Sequence, residues 1–227
     1  MESYRTEDEQ VEALKGWWKE NGQSTLIGVA LALGLGFGWQ GWQQHQTQQA
    51  AEASLTYQRM LEALSQEETV GADPGRELAE QLKEEHRGTT YAQFAALHLA
   101  RLAVNAGNPG QAEQELRWVL SMADNGSEIH QIAQLRLARV LAAKGDSDGA
   151  LAILQGASSG FVTSYAMARG DILLSLGRED EALIAYESAA ASLDPGVPAP
   201  RSLQEKLQYL GARVATQAIP AADAEAG

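Results

Sequence analysis

An uncharged, apolar run near the N-terminus most constrains how this chain can fold. No Asp, Glu, Lys or Arg occurs from Asn21 to Ala51, and residues 25–42 have the sequence TLIGVALALGLGFGWQGW. A helix of this length spans roughly 27 Å, close to the ~30 Å hydrocarbon core of a bilayer. Tryptophan favours the headgroup interface, and tryptophans flank the run at positions 17, 18, 39 and 42. The run therefore predicts a transmembrane helix at residues 24–42, surrounded by membrane lipid.

Two other structures could account for such a run. One is a cleaved signal peptide, because Ala51-Glu52-Ala53 faintly resembles a small-x-small cleavage site. However, the segment before the run is long and acidic, and the polar residues 43–49 separate the run from that site. The other is a buried helix of a soluble protein, but the run has no polar face. The pattern favours an uncleaved anchor.

Basic residues near the two ends of the run predict its orientation. Arg5, Lys15 and Lys19 precede it, whereas the first basic residue after it is Arg59. The more basic flank stays in the cytoplasm, so we expect the N-terminus inside and residues 43–227 outside. In a bacterium, the chain would then be a single-pass inner-membrane protein whose larger part lies in the periplasm.

Small residues recur along the predicted transmembrane helix at every fourth position. They form two stripes on opposite faces, because an offset of two residues is about 200° around a helix. Small residues let helix backbones approach closely in lipid, although glycine is also simply common in such helices. The candidate positions for packing against partner helices are Gly28, Ala32 and Gly36 on one face, and Ala30, Gly34 and Gly38 on the other.

Composition indicates an all-α domain after the membrane segment. Residues 51–215 are rich in Ala, Leu, Glu and Gln and poor in Val and Ile, which favours helix over strand. We divide the chain into a cytoplasmic segment (1–23), the transmembrane helix (24–42), a polar stem (43–51), a repeat domain (52–217) and a flexible tail (218–227). Turn-forming residues separate predicted helices near 6–21, 52–66, 75–86, 90–106, 109–123, 127–144, 147–155, 161–176, 179–192 and 201–215.

An internal repeat predicts how these helices pack. A small residue on a first helix is followed seven positions later by glycine, at 107, 145 and 177, and twelve positions later by alanine. A larger apolar residue then occurs at 116, 154 and 186, followed by Val119, Ala157 and Ala189. Small residues allow close crossings of antiparallel helices, and such pairs stack into a solenoid. The small core residues are Ala100 and Ala112, Ala138 and Ala150, and Gly170 and Ala182.

The repeat resembles the tetratricopeptide repeat over about residues 93–195. It departs from that pattern where an aromatic residue is usual early in the first helix, since Ala96, Gln134 and Ala166 occur there. Proline ends only the third unit, at Pro195, and the units are 38 and 32 residues apart. We therefore predict a tetratricopeptide-like solenoid, with a degenerate further pair at 52–86.

The sequence contains only weak matches to catalytic or metal-binding motifs. Residues 156–160 (GASSG) match the G-x-S-x-G pattern with Ser158 as nucleophile, but that motif requires a preceding strand and a nearby His and acid. Predicted helices flank this segment, which favours a loop between repeats. No histidine has metal-ligand spacing; the histidines are His45, His86, His98 and His130. We expect no enzymatic activity, no catalytic residues, no metal, no cofactor and no small-molecule substrate.

Several segments resemble the YfgM family. The N-terminal block MESYRTEDEQVEALKGWWKENG, a glycine-rich span, a stem and a degenerate repeat domain carry the resemblance, most specifically at residues 8–13, 17–18 and 20–22. Members of this family are ancillary subunits of the SecYEG translocon in Gram-negative inner membranes. The resemblance implies a single-pass protein with a periplasmic repeat domain. It also implies SecYEG and the periplasmic chaperone PpiD as partners, a role with emerging proteins, and a cytoplasmic end linked to a stress-response regulator.

The function expected from the sequence is a membrane-anchored interaction protein, an ancillary subunit of the Sec translocon. The net charge of −13 and the lack of a basic run argue against nucleic acid. Three alternatives remain at this point. They are an envelope scaffold for another assembly such as division or outer-membrane biogenesis, an envelope hydrolase using Ser158, and a soluble cytoplasmic adaptor.

Overall fold

A computed structural model describes residues 7–65, 74–158 and 160–217, which form helices joined by turns and short loops. The all-α prediction is confirmed, and from α2 onward each helix begins and ends within two residues of its predicted bounds. The predicted tail at 218–227 lies outside the described residues. The helices are α1 Glu7–Ser65, α2 Pro74–Glu85, α3 Thr90–Asn105, α4 Pro109–Met122, α5 Glu128–Ala143, α6 Ser147–Ile153, α7 Val162–Ser175, α8 Glu179–Ala191 and α9 Arg201–Gln217.

The first helix is longer than the sequence predicted. The helix expected to stop at Asn21-Gly22 continues without a break, so that prediction is wrong. Asn21 Nδ2 donates to Trp17 O at 3.3 Å, and Thr25 Oγ1 donates to Asn21 O at 2.9 Å, so polar side chains here bond within the helix. A helical glycine costs only about 1 kcal/mol relative to alanine, which the hydrogen bonds of a continuing helix offset. The residues of α1 up to Glu52 belong to one compact unit, and those from Ala53 belong to a second that includes α2–α9.

Side-chain caps begin four helices of the second unit. Thr89, Asn108, Ser127 and Asp146 each accept a hydrogen bond from the backbone N–H three positions further on. Each cap satisfies one of the N–H groups that have no partner within the first turn of a helix. The polar residues between the apolar segments therefore set where α3, α4, α5 and α6 start.

Glycine in the left-handed region ends the first helix of each predicted repeat. Gly107, Gly145 and Gly177 have φ values of 72°, 89° and 73°, which residues with a side chain rarely adopt. In each turn the N–H of the next residue donates to a carbonyl five positions back. These bonds are Asn108 N to Ala103 O (2.8 Å), Asp146 N to Leu141 O (2.9 Å) and Arg178 N to Leu173 O (3.0 Å).

Helix pairs stack in sequence order within the second unit. The pairs α3/α4, α5/α6 and α7/α8 each pack against the next, and α9 packs on α8 with Leu203 and Leu210 fully buried. The degenerate further pair was predicted at 52–86. The end of α1 packs with α2 and α3 around Ala53, Met60, Ala79, Leu82, Ala95 and Leu99. Only α6 is short, so Ala157 lies in the following loop, whereas Val119 and Ala189 lie in helices.

Candidate membrane helix and partner-binding groove

The apolar run lies within α1, and its side chains are exposed. Within the described residues, α1 is the one helix long and apolar enough to cross a membrane. Leu35 and Phe37 are 75% and 70% exposed, whereas a core helix of a soluble protein would bury such side chains. The Trp17 and Trp18 rings lie 6.4 Å apart, and the Trp39 and Trp42 rings lie 5.2 Å apart. These features match a helix whose surroundings are lipid, with aromatic residues at both ends.

The two predicted small-residue stripes are open surfaces. An added Cβ would meet nothing within 4 Å at Gly28, Gly34, Gly36 or Gly38. Ala30 and Ala32 are exposed as well. Both faces of α1 are thus accessible to another helix at these positions.

The six predicted small residues of the repeat lie in the core. Ala112, Ala138, Ala150 and Ala182 are fully buried, and Ala100 is 2% exposed. Gly170 is buried beneath the ring of Tyr186. The larger apolar residues Leu116, Leu154 and Tyr186 are also buried, as the repeat predicted. The small and large residues of the repeat are therefore all part of the buried core of the helix pairs.

A groove opens between α3, α4 and α5, with a cavity volume of about 530 Å³. This volume falls in the ~300–1,000 Å³ range of clefts that hold ligands. Its floor is Leu116, which is 1% exposed, and its rim includes Val104, which is 51% exposed. The other apolar lining residues are Ala100, Pro109, Val140 and Ala143. The groove can therefore accommodate apolar side chains of another molecule.

Three arginines also line this groove: Arg101 on α3 and Arg136 and Arg139 on α5. Burial, and then the positive charges of Arg101 and Arg139, lower the pKa of the Arg136 guanidinium. The Arg136 side chain also donates to Leu97 O at 3.4 Å. The groove is thus apolar at its base and positively charged at its rim.

An aromatic cluster lies beside the arginines. The ring of Tyr57 lies 5.6–6.2 Å from the rings of Tyr91, Phe94 and His98. The Tyr57 hydroxyl is 3.3 Å from His98 Nε2. Burial, and then the charges of Arg101 and Arg136, lower the pKa of the His98 imidazole. His98 therefore contacts the aromatic cluster through Tyr57 and is also affected by the positive charges of the arginines.

Residues 156–158 of the G-x-S-x-G segment follow α6 outside any helix, and Ser158 contacts an amide side chain. The Ser158 N–H donates to Gln131 Oε1 at 2.9 Å, and its hydroxyl contacts Gln131 Nε2. Gln131 Nε2 also donates to Gly126 O at 3.2 Å. The Tyr165 hydroxyl lies 3.0 Å from Gln131 O. Within the described residues, Ser158 has no His or carboxylate partner, and its contacts attach the loop to α5.

The arginines of the groove were not singled out from the sequence, although the repeat contains the signal. Residues 97–103 (LHLARLA) align with residues 135–141 (LRLARVL) at the same 38-residue offset that relates Ala100 to Ala138. His98 therefore corresponds to Arg136, and Arg101 to Arg139. Helix α3 has no acidic residue, and α5 has one, Glu128 in its first turn. Arginines without acids at i±4, repeated on successive first helices, would have singled out these residues, although not the cavity that they line.

Comparisons with known proteins agree with this architecture. The family described as "Tetratricopeptide repeat-like domain" matches residues 15–212. The chain is similar to a protein named "Ancillary SecYEG translocon subunit" from Escherichia coli (strain K12), with 34% identity over 85% of this chain and 91% of that protein. A protein of the same name from Haemophilus influenzae is 33% identical over 84% of this chain and 92% of its own length. A third protein of this name, from Aggregatibacter actinomycetemcomitans, is 30% identical over 82% of this chain and 90% of its own length. No solved structure matches.

Proposed function

Because the chain belongs to the tetratricopeptide repeat-like family of the ancillary SecYEG translocon subunits, we propose that it is itself an ancillary, non-enzymatic subunit of the Sec translocon. The observation that carries this proposal is that the similarity covers 91% and 92% of two relatives. The family match over residues 15–212 includes the apolar helix as well as the repeats. An exposed apolar helix together with translocon-associated relatives fits a protein of the inner membrane.

The proposed topology places the N-terminus in the cytoplasm and the repeat domain in the periplasm. It is supported by Arg5, Lys15 and Lys19 before the apolar run, against a first following basic residue at Arg59. A reporter enzyme that is active only outside the cytoplasm, fused after Ala218, should be active in cells. A stable but inactive fusion would reverse the proposed orientation.

Two parts of the chain can contribute to partner binding, and we assign them different shares. The transmembrane helix offers small-residue faces at residues 28–38, where helix contacts contribute modestly. The repeat domain offers a recessed apolar groove that can enclose side chains. The proposed division is that the repeat domain supplies most of the partner affinity, while the helix confines the protein to the membrane and orients it.

Affinity purification of the full chain from gentle detergent tests the proposed function. SecYEG subunits should co-purify, and the periplasmic chaperone PpiD is the further partner that the family resemblance implies. The rival function, an envelope scaffold for another assembly such as division or outer-membrane biogenesis, predicts subunits of that assembly instead. Recovery of such subunits without SecYEG would overturn the proposal.

Two variants test the division of labour. In one, residues 25–42 are replaced by an unrelated membrane helix of equal length, and in the other, residues 90–195 are deleted. The helix replacement should retain most of the SecYEG recovered with the parent chain, and the deletion should lose most of it. The opposite pattern would show that the membrane helix is the main binding element.

A further inference from the structure

The arginines of the groove lack the ion pairs that most other basic residues of the repeat domain form with carboxylates. Lys83, Lys144 and Lys206 each form an ion pair with a carboxylate of another helix. Arg117, Arg178, Arg201 and Arg213 are also paired. Within the described residues, Arg101, Arg136 and Arg139 have no carboxylate within ion-pair distance. They surround an apolar cavity in a chain whose net charge is −13.

This clustering of like charges has an energetic consequence. Each guanidinium near another costs electrostatic energy, most of all where burial reduces screening by solvent. Burial is the first cause of the lowered pKa of Arg136 and of His98, and the charges of neighbouring groove arginines are the second. A carboxylate brought to the groove would relieve the repulsion and could form bidentate bonds with a guanidinium.

The third repeat lacks this arrangement, so the charge is a local feature. Arg101 follows Ala100, and Arg139 follows Ala138, but the corresponding residue after Gly170 is Asp171. Asp171 accepts a hydrogen bond from the Tyr186 hydroxyl at 2.6 Å and pairs with Lys206. The cluster of three arginines around an apolar cavity is therefore a feature of the groove between the first two repeats and does not recur at the third.

We propose that this groove binds an apolar segment of a partner protein that carries acidic side chains next to its apolar ones. The apolar side chains would contact Val104, Leu116 and Val140, and the carboxylates would bind the arginines at the rim. The recessed apolar floor favours a protein segment over a nucleic acid or a lipid headgroup, because neither of those offers apolar side chains at that position. This inference rests on the proposed function, since it names the class of segment that the repeat domain holds.

Peptide binding to the full chain in nanodiscs of neutral lipid tests the proposal. The probe is a short fluorescent peptide of leucine and alanine that carries two glutamates. Matched peptides carry glutamine or lysine at the same positions, and empty nanodiscs give the background. The glutamate peptide should bind at least about tenfold more tightly than either of the others, because charge-assisted bonds to arginine are about twice as strong as neutral ones. Added salt should weaken its binding.

Substitutions at the groove provide the second arm. The double variant Arg136→Gln/Arg139→Gln should lose at least about tenfold in affinity for the glutamate peptide, with far-UV circular dichroism unchanged. Arg201→Gln is the matched control, because Arg201 is exposed on α9, a helix that packs on α8. Arg201→Gln removes one positive charge, as each substitution in the groove does. This variant should bind the glutamate peptide with the affinity of the parent.

Several results would overturn the proposal. They are equal binding of the glutamate and glutamine peptides, equal binding by the parent and the groove variant, or an equal loss in Arg201→Gln. A marked gain in affinity when residues 218–227 are removed would assign the groove to the chain's own acidic tail instead of a partner. Peptide binding needs no translocon, so its failure alongside SecYEG co-purification would reject this inference and leave the proposed function standing. Peptide binding without co-purification of SecYEG would support this inference and reject the proposed function.

Discussion

The absence of a side chain at Gly170 makes room for the ring of Tyr186. A Cβ added at Gly170 would lie 2.5 Å from Tyr186 Cε1, far inside van der Waals contact. In the two preceding repeats the corresponding residues are Ala100 with Leu116 and Ala138 with Leu154. The smallest residue of the three occurs with the largest partner, so Gly170 and Tyr186 form a complementary pair of volumes.

Substitution of Gly170 by alanine should therefore destabilise the repeat domain. Overpacking of a close crossing costs about 1–3 kcal/mol, against which alanine gains about 1 kcal/mol in helix propensity. Gly211→Ala is the matched control, since Gly211 lies in α9 with nothing within 4 Å of an added Cβ. Urea unfolding of the full chain in detergent, followed by circular dichroism, measures both. If the Tyr186 ring causes the overpacking, Gly170→Ala should lower the free energy of unfolding less in a Tyr186→Leu background than in the parent. An equal loss in the two backgrounds would contradict this explanation.

A second prediction concerns two alanines of the same short helix. Ala150 is fully buried in α6, whereas Ala152 is exposed two positions later. Ala150→Leu should lower the free energy of unfolding by about 1–3 kcal/mol, because the added methyl groups have no space at the crossing. Ala152→Leu adds the same volume towards solvent and should have little effect. Equal unfolding midpoints for the two variants would show that Ala150 does not lie at a tight crossing.

A third prediction concerns an ion pair between α2 and α4. Lys83 Nζ lies 2.7 Å from Glu115 Oε2, and the two side chains are 13% and 10% exposed. Glu115→Ala leaves the largely buried Lys83 ammonium with one carboxylate, that of the more exposed Glu80 at 3.1 Å, so it should cost about 1–3 kcal/mol. Glu205→Ala breaks the exposed pair with Arg201 and should cost about 0–1 kcal/mol. Similar losses in the two variants would contradict the assignment of Lys83–Glu115 as a stabilising contact between the first helix pairs.

A fourth prediction concerns pH. The pKa of His98 in the folded protein is lowered, chiefly by burial and then by Arg101 and Arg136. As pH falls below about 6.5, the unfolded chain binds a proton at His98 more readily than the folded one, so stability is lost. His98→Gln removes this titration and should show a smaller loss of unfolding free energy between pH 7 and pH 5. Identical pH dependence in parent and variant would show that His98 does not titrate abnormally.

The sequence predicted much of the fold because its signals are local. Turn glycines at 107, 145 and 177, polar caps and apolar periodicity each act within a few residues, and they placed α2–α9 correctly. Asn21-Gly22 misled because the same dipeptide can end a helix or lie within one, and its immediate sequence does not distinguish the two. The groove was missed because its lining comes from three helices, and only their packing brings Arg101 close to Arg136 and Arg139.

Photo-crosslinking in intact membranes tests the central claim, association with the Sec translocon, most directly. A photoreactive residue at Leu33, which is 54% exposed on the apolar helix, would report neighbours within the membrane. A second at Val104, on the rim of the groove, would report neighbours of the repeat domain. Mass spectrometry of the products should identify SecYEG subunits from at least one position. Products that contain only subunits of another envelope assembly at both positions would contradict a role at the translocon.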